Sequence, residues 1–401
     1  MYFRIIGLLA TIAQFTLFTG PAGAEAPLVK LGVLTDLAGP YAALAGQGSV
    51  IATRMAVDDC LASECRGMHV EVVSADHGNK ADVGAAIARR WFDQDGVTTL
   101  VDVINGGVQA AIQPIVREKN RMVLYAGGPS RITNEDCAPD NSVMWMYDTY
   151  SQVAATVGRL TQPGSRWFLL TVNYAFGHAL QADATDIVRR AGGEVVGVAR
   201  HPFGTSDFSS FLLQAQNSGA GFIGLANAGS DAVIAAKQAA EFGLTRSQNV
   251  VAFVLLLPDV KALGLDLAGG ITLAEGFYWD LDDKTRAFAS RFETLAKQKP
   301  SMAQAGVYSA TLHYLRAVAA AGTTDPKTVA RQMREIPIHD DVVRNARLRK
   351  DGRMVHDYYQ FQIKQPAESR GPDDVYNLRA TIPADQAFKP VSESMCPLLE
   401  R

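Results

Sequence analysis

Residues 28–60 read LVKLGVLTDLAGPYAALAGQGSVIATRMAVDDC, and their opening decides the fold. LVKLGVLT is a short apolar run rich in Val and Leu, closed by Asp36 and the turn Ala38-Gly39-Pro40, which predicts a buried strand over residues 28–35. Residues 48–60 then predict a helix. The alternation continues with strands over 69–75, 99–104 and 122–125 and helices over 80–93 and 108–119. It restarts after Tyr150, with strands over 167–172, 194–201, 221–226 and 250–256 between helices over 151–160, 179–191, 208–217 and 231–242. Strands and helices alternating at this spacing make βαβ units and parallel sheets, so two similar α/β lobes are expected. Residues 284–299 and 303–321 read as helices belonging to neither run, and 358–363 as a strand. The chain is therefore expected to cross between lobes more than once.

Composition fits that reading. The chain has 401 residues, 48% hydrophobic and 20% charged, enough for two or three domains or two lobes of one chain. Its formal charge of −3 and the lack of a basic block exclude a nucleic-acid groove, which needs clustered Lys and Arg to displace counterions. Arg4, the apolar stretch Ile5 to Phe18 and the small residues Ala22-Gly23-Ala24 before Glu25 predict a secretory signal peptide over residues 1–24. A membrane anchor is the competing reading, but the stretch is shorter than the ~20 residues that span hydrocarbon.

Export puts the four cysteines in an oxidising compartment. They allow three pairings. Cys60–Cys65 with Cys137–Cys396 is favoured, because Cys137 lies in a Pro/Asn-rich loop and Cys396 in a C-terminal tail that gains most from a staple. The alternative leaves some thiols free. No metal and no cofactor are expected: there is no C-x-x-C, no H-E-x-x-H, and the seven His are scattered.

Ligands of open parallel sheets sit beyond the carboxyl ends of the strands. In the first run those ends carry residues 36–48, Asn105-Gly106-Gly107 and Gly127-Gly128-Pro129-Ser130; in the second they carry Asn173-Tyr174-Ala175-Phe176-Gly177 and Asn227-Ala228-Gly229-Ser230. Backbone N–H groups at helix starts there suit a carboxylate, although any α/β fold needs such turn residues. Enzyme signatures fail. Gly46-x-Gly48 lacks a third glycine, and neither a G-x-S-x-G elbow nor a phosphate loop is present. Asp76-His77 and His178 read as capping or surface residues rather than an acid–base pair.

The segments VKLGVLTDLAGPYA (29–42), MAVDD (55–59), VEVVSADHGNKADV (70–83), WMYDTY (145–150), NYAFGHA (173–179), DFSSFLLQAQ (207–216) and AEGFYWD (274–280) together resemble the solute-binding proteins of branched-chain-amino-acid-type ABC importers. The resemblance spans nearly the whole chain after residue 24. It implies a type I periplasmic binding fold: two Rossmann-like lobes joined by three hinge crossings, near 146–150, 277–279 and 356–359. Lobe one then takes residues 25–147 and 280–355, lobe two 148–279 and 356–401. It also implies a periplasmic protein, expected as a monomer, that traps a small solute by hinge closure and presents it to a membrane permease. A ligand-binding sensor of the same fold is the second class; an enzyme is the third.

On the family's pattern the solute's carboxylate meets the loops holding Asn105, Gly106, Gly107 and Val108 and Gly127, Gly128 and Ser130. The sequence departs from amino-acid binders there: Gly106 and Gly107 replace a serine-rich turn, and Pro129 removes an N–H donor. Amino-acid binders also pair the solute's ammonium with an acid from the second lobe. The matching stretch Val254-Leu255-Leu256-Leu257-Pro258 is apolar, with Asp259 just beyond. Tyr41, Tyr147, Tyr150, Tyr174, Phe176 and Trp279, with Asn227, Ala228 and Leu256, complete the candidate cleft. Apolar, aromatic walls without an ammonium partner favour an organic carboxylate, aromatic ones included, over an amino acid; Asp36, Asp148 or Asp259 would serve a cation if one is bound.

Overall fold

A computed structural model describes residues 27–399. The proposed signal peptide lies outside the described residues. The first lobe is built on five parallel strands, β1 (Leu28–Thr35), β2 (His69–Asp76), β3 (Thr99–Asp102), β4 (Met122–Gly128) and β5 (Ser142–Asp148), in the order β2-β1-β3-β4-β5. The second holds β6 (Arg166–Val172), β7 (Glu194–His201), β8 (Phe222–Ala226), β9 (Asn249–Ala252) and β10 (Thr272–Glu275) in the order β7-β6-β8-β9-β10, the same winding repeated. After the short pair β11 (Arg347–Leu348) and β12 (Met354–Val355), β13 (Tyr358–Ile363) and β14 (Tyr376–Ile382) extend the second sheet antiparallel beyond β10.

The opening run behaves as its composition requires. β1 lies between β2 and β3, and Leu31, Val33 and Leu34 are fully buried, because helices cover both faces of a parallel sheet. Register then aligns the carboxyl ends: Thr35 lies beside Asp76, Leu34 beside Asp102, Asp102 beside Tyr125 and Gly127 beside Tyr147. All the loops that follow open on one edge.

The chain passes between the sheets three times. β5 ends at Asp148, whose carboxylate caps the helix Thr149–Leu160 by accepting the Ser151 N–H at 2.7 Å. That helix lies against β13, where the Gln360 amide donates to the Ala155 carbonyl at 3.1 Å. The chain returns after β10 into the helices Asp283–Ala296 and Met302–Ala321, and passes back between β12 and β13. Every residue from Met302 to Leu315 is buried. This helix is buried all round because it is a core element of the first lobe, held to β5 by Trp145 Nε1 donating to Ser309 Oγ at 2.8 Å.

Three strand expectations differ. The strand expected over 122–125 runs on to Gly128. The strand expected over 250–256 stops at Ala252; Phe253 to Leu256 stay buried but run irregularly into the helix Leu257–Leu263, whose first turn holds Pro258. An apolar run specifies burial, not strand, and proline fits a helix's first turn. The strand over 99–104 ends at Asp102, where Asp102 and Val103 take φ of 77° and 51°. The cysteines pair as Cys60–Cys65 and Cys137–Cys396, the favoured pairing. Among the described residues no helix is long and apolar enough to cross a membrane.

Candidate functional site

The loop after β1 is folded around Asp36. Its carboxylate accepts the N–H groups of Gly39 at 2.6 Å and Tyr41 at 2.8 Å and the Asn79 side-chain amide at 2.6 Å. Asn79 Oδ1 in turn accepts from Asn105 Nδ2 at 3.2 Å, so one chain of polar groups joins the loops after β1, β2 and β3. From below, the Ser301 hydroxyl donates to the Leu44 carbonyl at 2.5 Å and the Gln304 amide to the Ala45 carbonyl at 3.0 Å. Tyr41 and Leu44 are thereby held at the mouth of the first sheet.

Asn105 caps the helix Gly106–Glu118: its Oδ1 accepts the Gly107 N–H at 2.8 Å and the Val108 N–H at 3.2 Å. Gly127 and Gly128, expected in the loop after the strand, are the last residues of β4 and serve packing. A Cβ on Gly127 would stand 2.1 Å from the Tyr147 ring, and one on Gly128 2.0 Å from the Gln109 amide. The Ser130 N–H donates to Thr149 Oγ1 at 2.9 Å, and its hydroxyl crosses to Asp183 of the second lobe at 2.9 Å. Burial pushes the Asp183 carboxyl up to about 7.

Opposite, Tyr174 and Phe176 flank the start of the helix Ala175–Arg190, and Ala228 precedes Gly229–Glu241. The lobes touch here. The hydroxyls of Tyr41 and Tyr174 are hydrogen-bonded to each other, Phe203 packs against both rings at 5.7 and 5.4 Å between centroids, and the Ser230 N–H donates to the Pro40 carbonyl at 3.3 Å.

Between the lobes lies a small, narrow cavity lined by Tyr41, Leu44, Ile104, Tyr147, Tyr174, Phe176 and Ala228. No charged side chain is in its wall. A larger hollow, about 600 Å3 among Arg117, Pro139 and Leu398, opens at the amino ends of the strands, where parallel sheets do not bind ligands.

Of the expected site residues, Tyr41, Tyr147, Tyr174, Phe176 and Ala228 thus share one cavity. Gly106 packs against Phe176 and Gly127 against Tyr147 of its wall. Asn105, Gly107, Val108 and Gly128 are not in the wall, and Ser130 lines a separate hollow with Asp148 and Arg349. The others lie outside its wall. Tyr150 is half-buried, Trp279 donates from its indole to the Asp373 carbonyl at 2.9 Å, and Asn227 donates to His201 Nε2 at 3.1 Å. The Leu256 N–H donates at 3.0 Å to Asp259, which burial pushes up to about 7. All three acids considered for a cation are committed elsewhere: Asp36 to its turn, Asp148 to a helix cap and Arg353, Asp259 to Leu256. Leu44 and Ile104 escaped the sequence reading because an aliphatic residue in a loop carries no signal of the cavity it faces. His77, a candidate for acid–base chemistry, is buried and accepts the Asn79 N–H at 3.0 Å; burial pushes its imidazole down to about 4.

Residues 28–371 match the family model described as periplasmic binding protein. Among solved structures the chain is 42% identical to a periplasmic binding protein from Burkholderia mallei, over 94% of this chain and 100% of that one, with a TM-score of 0.89. It is 39% identical to a branched-chain amino acid ABC transporter periplasmic ligand-binding protein from Burkholderia xenovorans LB400, over 92% and 99% of the two chains, with a TM-score of 0.81. A solute-binding protein of an ABC transporter from R. palustris, solved with benzoate, shares the fold at 19% identity over 93% and 100%, with a TM-score of 0.80. No curated protein matches the chain.

Proposed function

Because the chain belongs to the periplasmic binding protein family, we propose that the cavity between its lobes captures a small organic carboxylate, aromatic ones included, and carries no ammonium site. As a periplasmic binding protein of an ABC transporter it works outside the cytoplasm, taking a small molecule to a permease. The observation that carries the solute class is the cavity wall: three tyrosines, a phenylalanine, two aliphatic side chains and an alanine, with no acid to neutralise an ammonium group. A charge buried there without a partner costs several kcal/mol. That a protein of this fold was solved with benzoate supports the size and character of the cargo.

A second reading, a branched-chain amino acid, is favoured by the description of the Burkholderia xenovorans protein. It requires an acid to be freed from the cap or turn that now holds it. The proposal also takes residues 1–24 as removed on export, the mature protein as a monomer without catalytic activity, and the lobes as 25–147 with 280–355 and 148–279 with 356–401. On that division the Cys137–Cys396 bridge joins lobe to lobe.

The test is a thermal-shift titration of the protein, unfolded and refolded to strip bound solute, against benzoate, 4-hydroxybenzoate, leucine and glutamate. A ligand at a hundred times its Kd adds about 2.7 kcal/mol to the native state, a clear rise in Tm. A shift with the benzoates supports the proposal; a shift with leucine and none with the benzoates overturns it.

A further inference from the structure

We propose that the solute's carboxylate is read by three tyrosine hydroxyls, those of Tyr41, Tyr147 and Tyr174, and not by the amide groups at the start of the helix Gly106–Glu118. This rests on the carboxylate reading above and says how the charge is held.

Three amides of the expected cradle are already used. The Gly107 and Val108 N–H groups donate to Asn105, and the Ser130 N–H donates to Thr149. A solute that took the Gly107 and Val108 amides would orphan the Asn105 oxygen, at about 1–3 kcal/mol for a buried group left unpaired.

The tyrosines offer the opposite situation. Tyr147 is 3% exposed and lines the cavity, yet its hydroxyl has no hydrogen-bond partner among the described residues. Tyr41 and Tyr174 bring one hydroxyl from each lobe to a common point. Only one of the two can donate to the other, so one proton of the pair stays free. With Tyr147 that makes two free donors, as many as a carboxylate has oxygens. Burial raises all three phenols above their ordinary range, so they remain protonated donors in neutral solution. Hydrogen bonds from such donors to an ionised acceptor are the strong kind. Because Tyr41 belongs to one lobe and Tyr174 to the other, the same contact that recognises the carboxylate ties the closed lobes together. An amide presents one carbonyl oxygen where a carboxylate presents two, so the arrangement selects the acid.

The experiment is calorimetric titration of wild type, Tyr147→Phe and Tyr174→Phe with benzoate and with benzamide. Each Phe variant is expected to bind benzoate ten- to a hundredfold more weakly, with benzamide changed less than threefold, so that the acid-to-amide preference collapses. Benzoate affinity unchanged in both variants, or benzoate and benzamide weakened alike, overturns the tyrosine reading while leaving the carboxylate reading intact. A wild type that binds no benzoate overturns both.

Discussion

Arg353 Nε lies 2.7 Å from Asp148 Oδ2, and both side chains are buried where the chain first passes from the five-stranded sheet to the second lobe. The guanidinium also donates to the carbonyls of Met144 at 2.7 Å and Trp145 at 2.8 Å and lies 4.3 Å from the centroid of the Phe388 ring. One cation therefore holds the edge strand β5, the residue that caps the next helix, and the C-terminal segment. Removing it leaves a buried carboxylate and two unpaired carbonyls. Arg353→Ala is expected to lose about 3–5 kcal/mol of stability, read from urea unfolding. A loss under about 1 kcal/mol would show that Asp148 is satisfied without it.

Asp183 is a part-buried acid between the lobes, accepting from Ser130 at 2.9 Å and Thr149 at 2.6 Å. Burial holds its folded pKa up near 7, above the ordinary 3.8 of the unfolded chain. Between those values the native state binds the proton that the unfolded chain has lost, so this group's contribution becomes less favourable as pH rises from about 4 to about 7. Asp183→Asn removes the dependence. Relative to wild type the variant is expected to gain stability with rising pH, by up to about 4 kcal/mol between pH 4 and 8. Denaturant midpoints of the pair at pH 5, 6, 7 and 8 measure it; a constant difference contradicts the assignment. Comparing the two proteins is necessary because His77, His313 and His356, each pushed down to about 4 by burial, tilt the wild-type curve the other way.

Periodicity and composition made the two-lobed fold legible. Leu28–Thr35 sits where the sequence placed it, since a buried apolar run bounded by turn residues admits few alternatives, and Glu194–His201 matches its expected bounds as well. The aromatic side of the cleft was equally visible, because Tyr41, Tyr174 and Phe176 follow strand ends directly. The polar side was not. That the Gly107 and Val108 amides are taken by Asn105, or that Gly127 exists to admit the Tyr147 ring, is decided by side-chain contacts no spacing encodes. Asp259 failed to reach the cleft for the same reason: an acid three residues after Leu256 fits a ligand role and a helix cap alike, and packing made it the cap.

The two disulfides should differ in value. Cys137–Cys396 spans 259 residues of sequence and Cys60–Cys65 five. A cross-link restricts the unfolded chain more as the loop it closes grows, so the long bridge is worth roughly 3 kcal/mol more. The double variant Cys137→Ser, Cys396→Ser is expected to unfold at distinctly lower guanidinium than Cys60→Ser, Cys65→Ser. The ties at Arg190–Glu393 and from the Met395 N–H to Asn134 remain in the first of these, so the tail is not released altogether. Equal midpoints would mean that those ties, not the bridge, fix the tail.

Gly229 lies where the lobes touch. Its φ is +58°, and a Cβ there would stand 2.3 Å from the Pro40 carbonyl oxygen and 2.9 Å from the Tyr41 ring, both on the opposite side of the cleft. Alanine therefore carries two penalties: a backbone cost of about 1 kcal/mol in the left-handed region, and a clash that exists only when the lobes are closed. Gly243→Ala separates them, since Gly243 has φ +74° with nothing within 4 Å of its Cβ position. Both variants should lose similar stability without solute. Only Gly229→Ala should bind benzoate at least tenfold more weakly and fail to contract on saturation, as measured by the radius of gyration in solution scattering. A Gly229→Ala protein that contracts as wild type does would mean that solute is held with the lobes further apart than in this closed form, and that the Tyr41–Tyr174 contact is not part of the bound state.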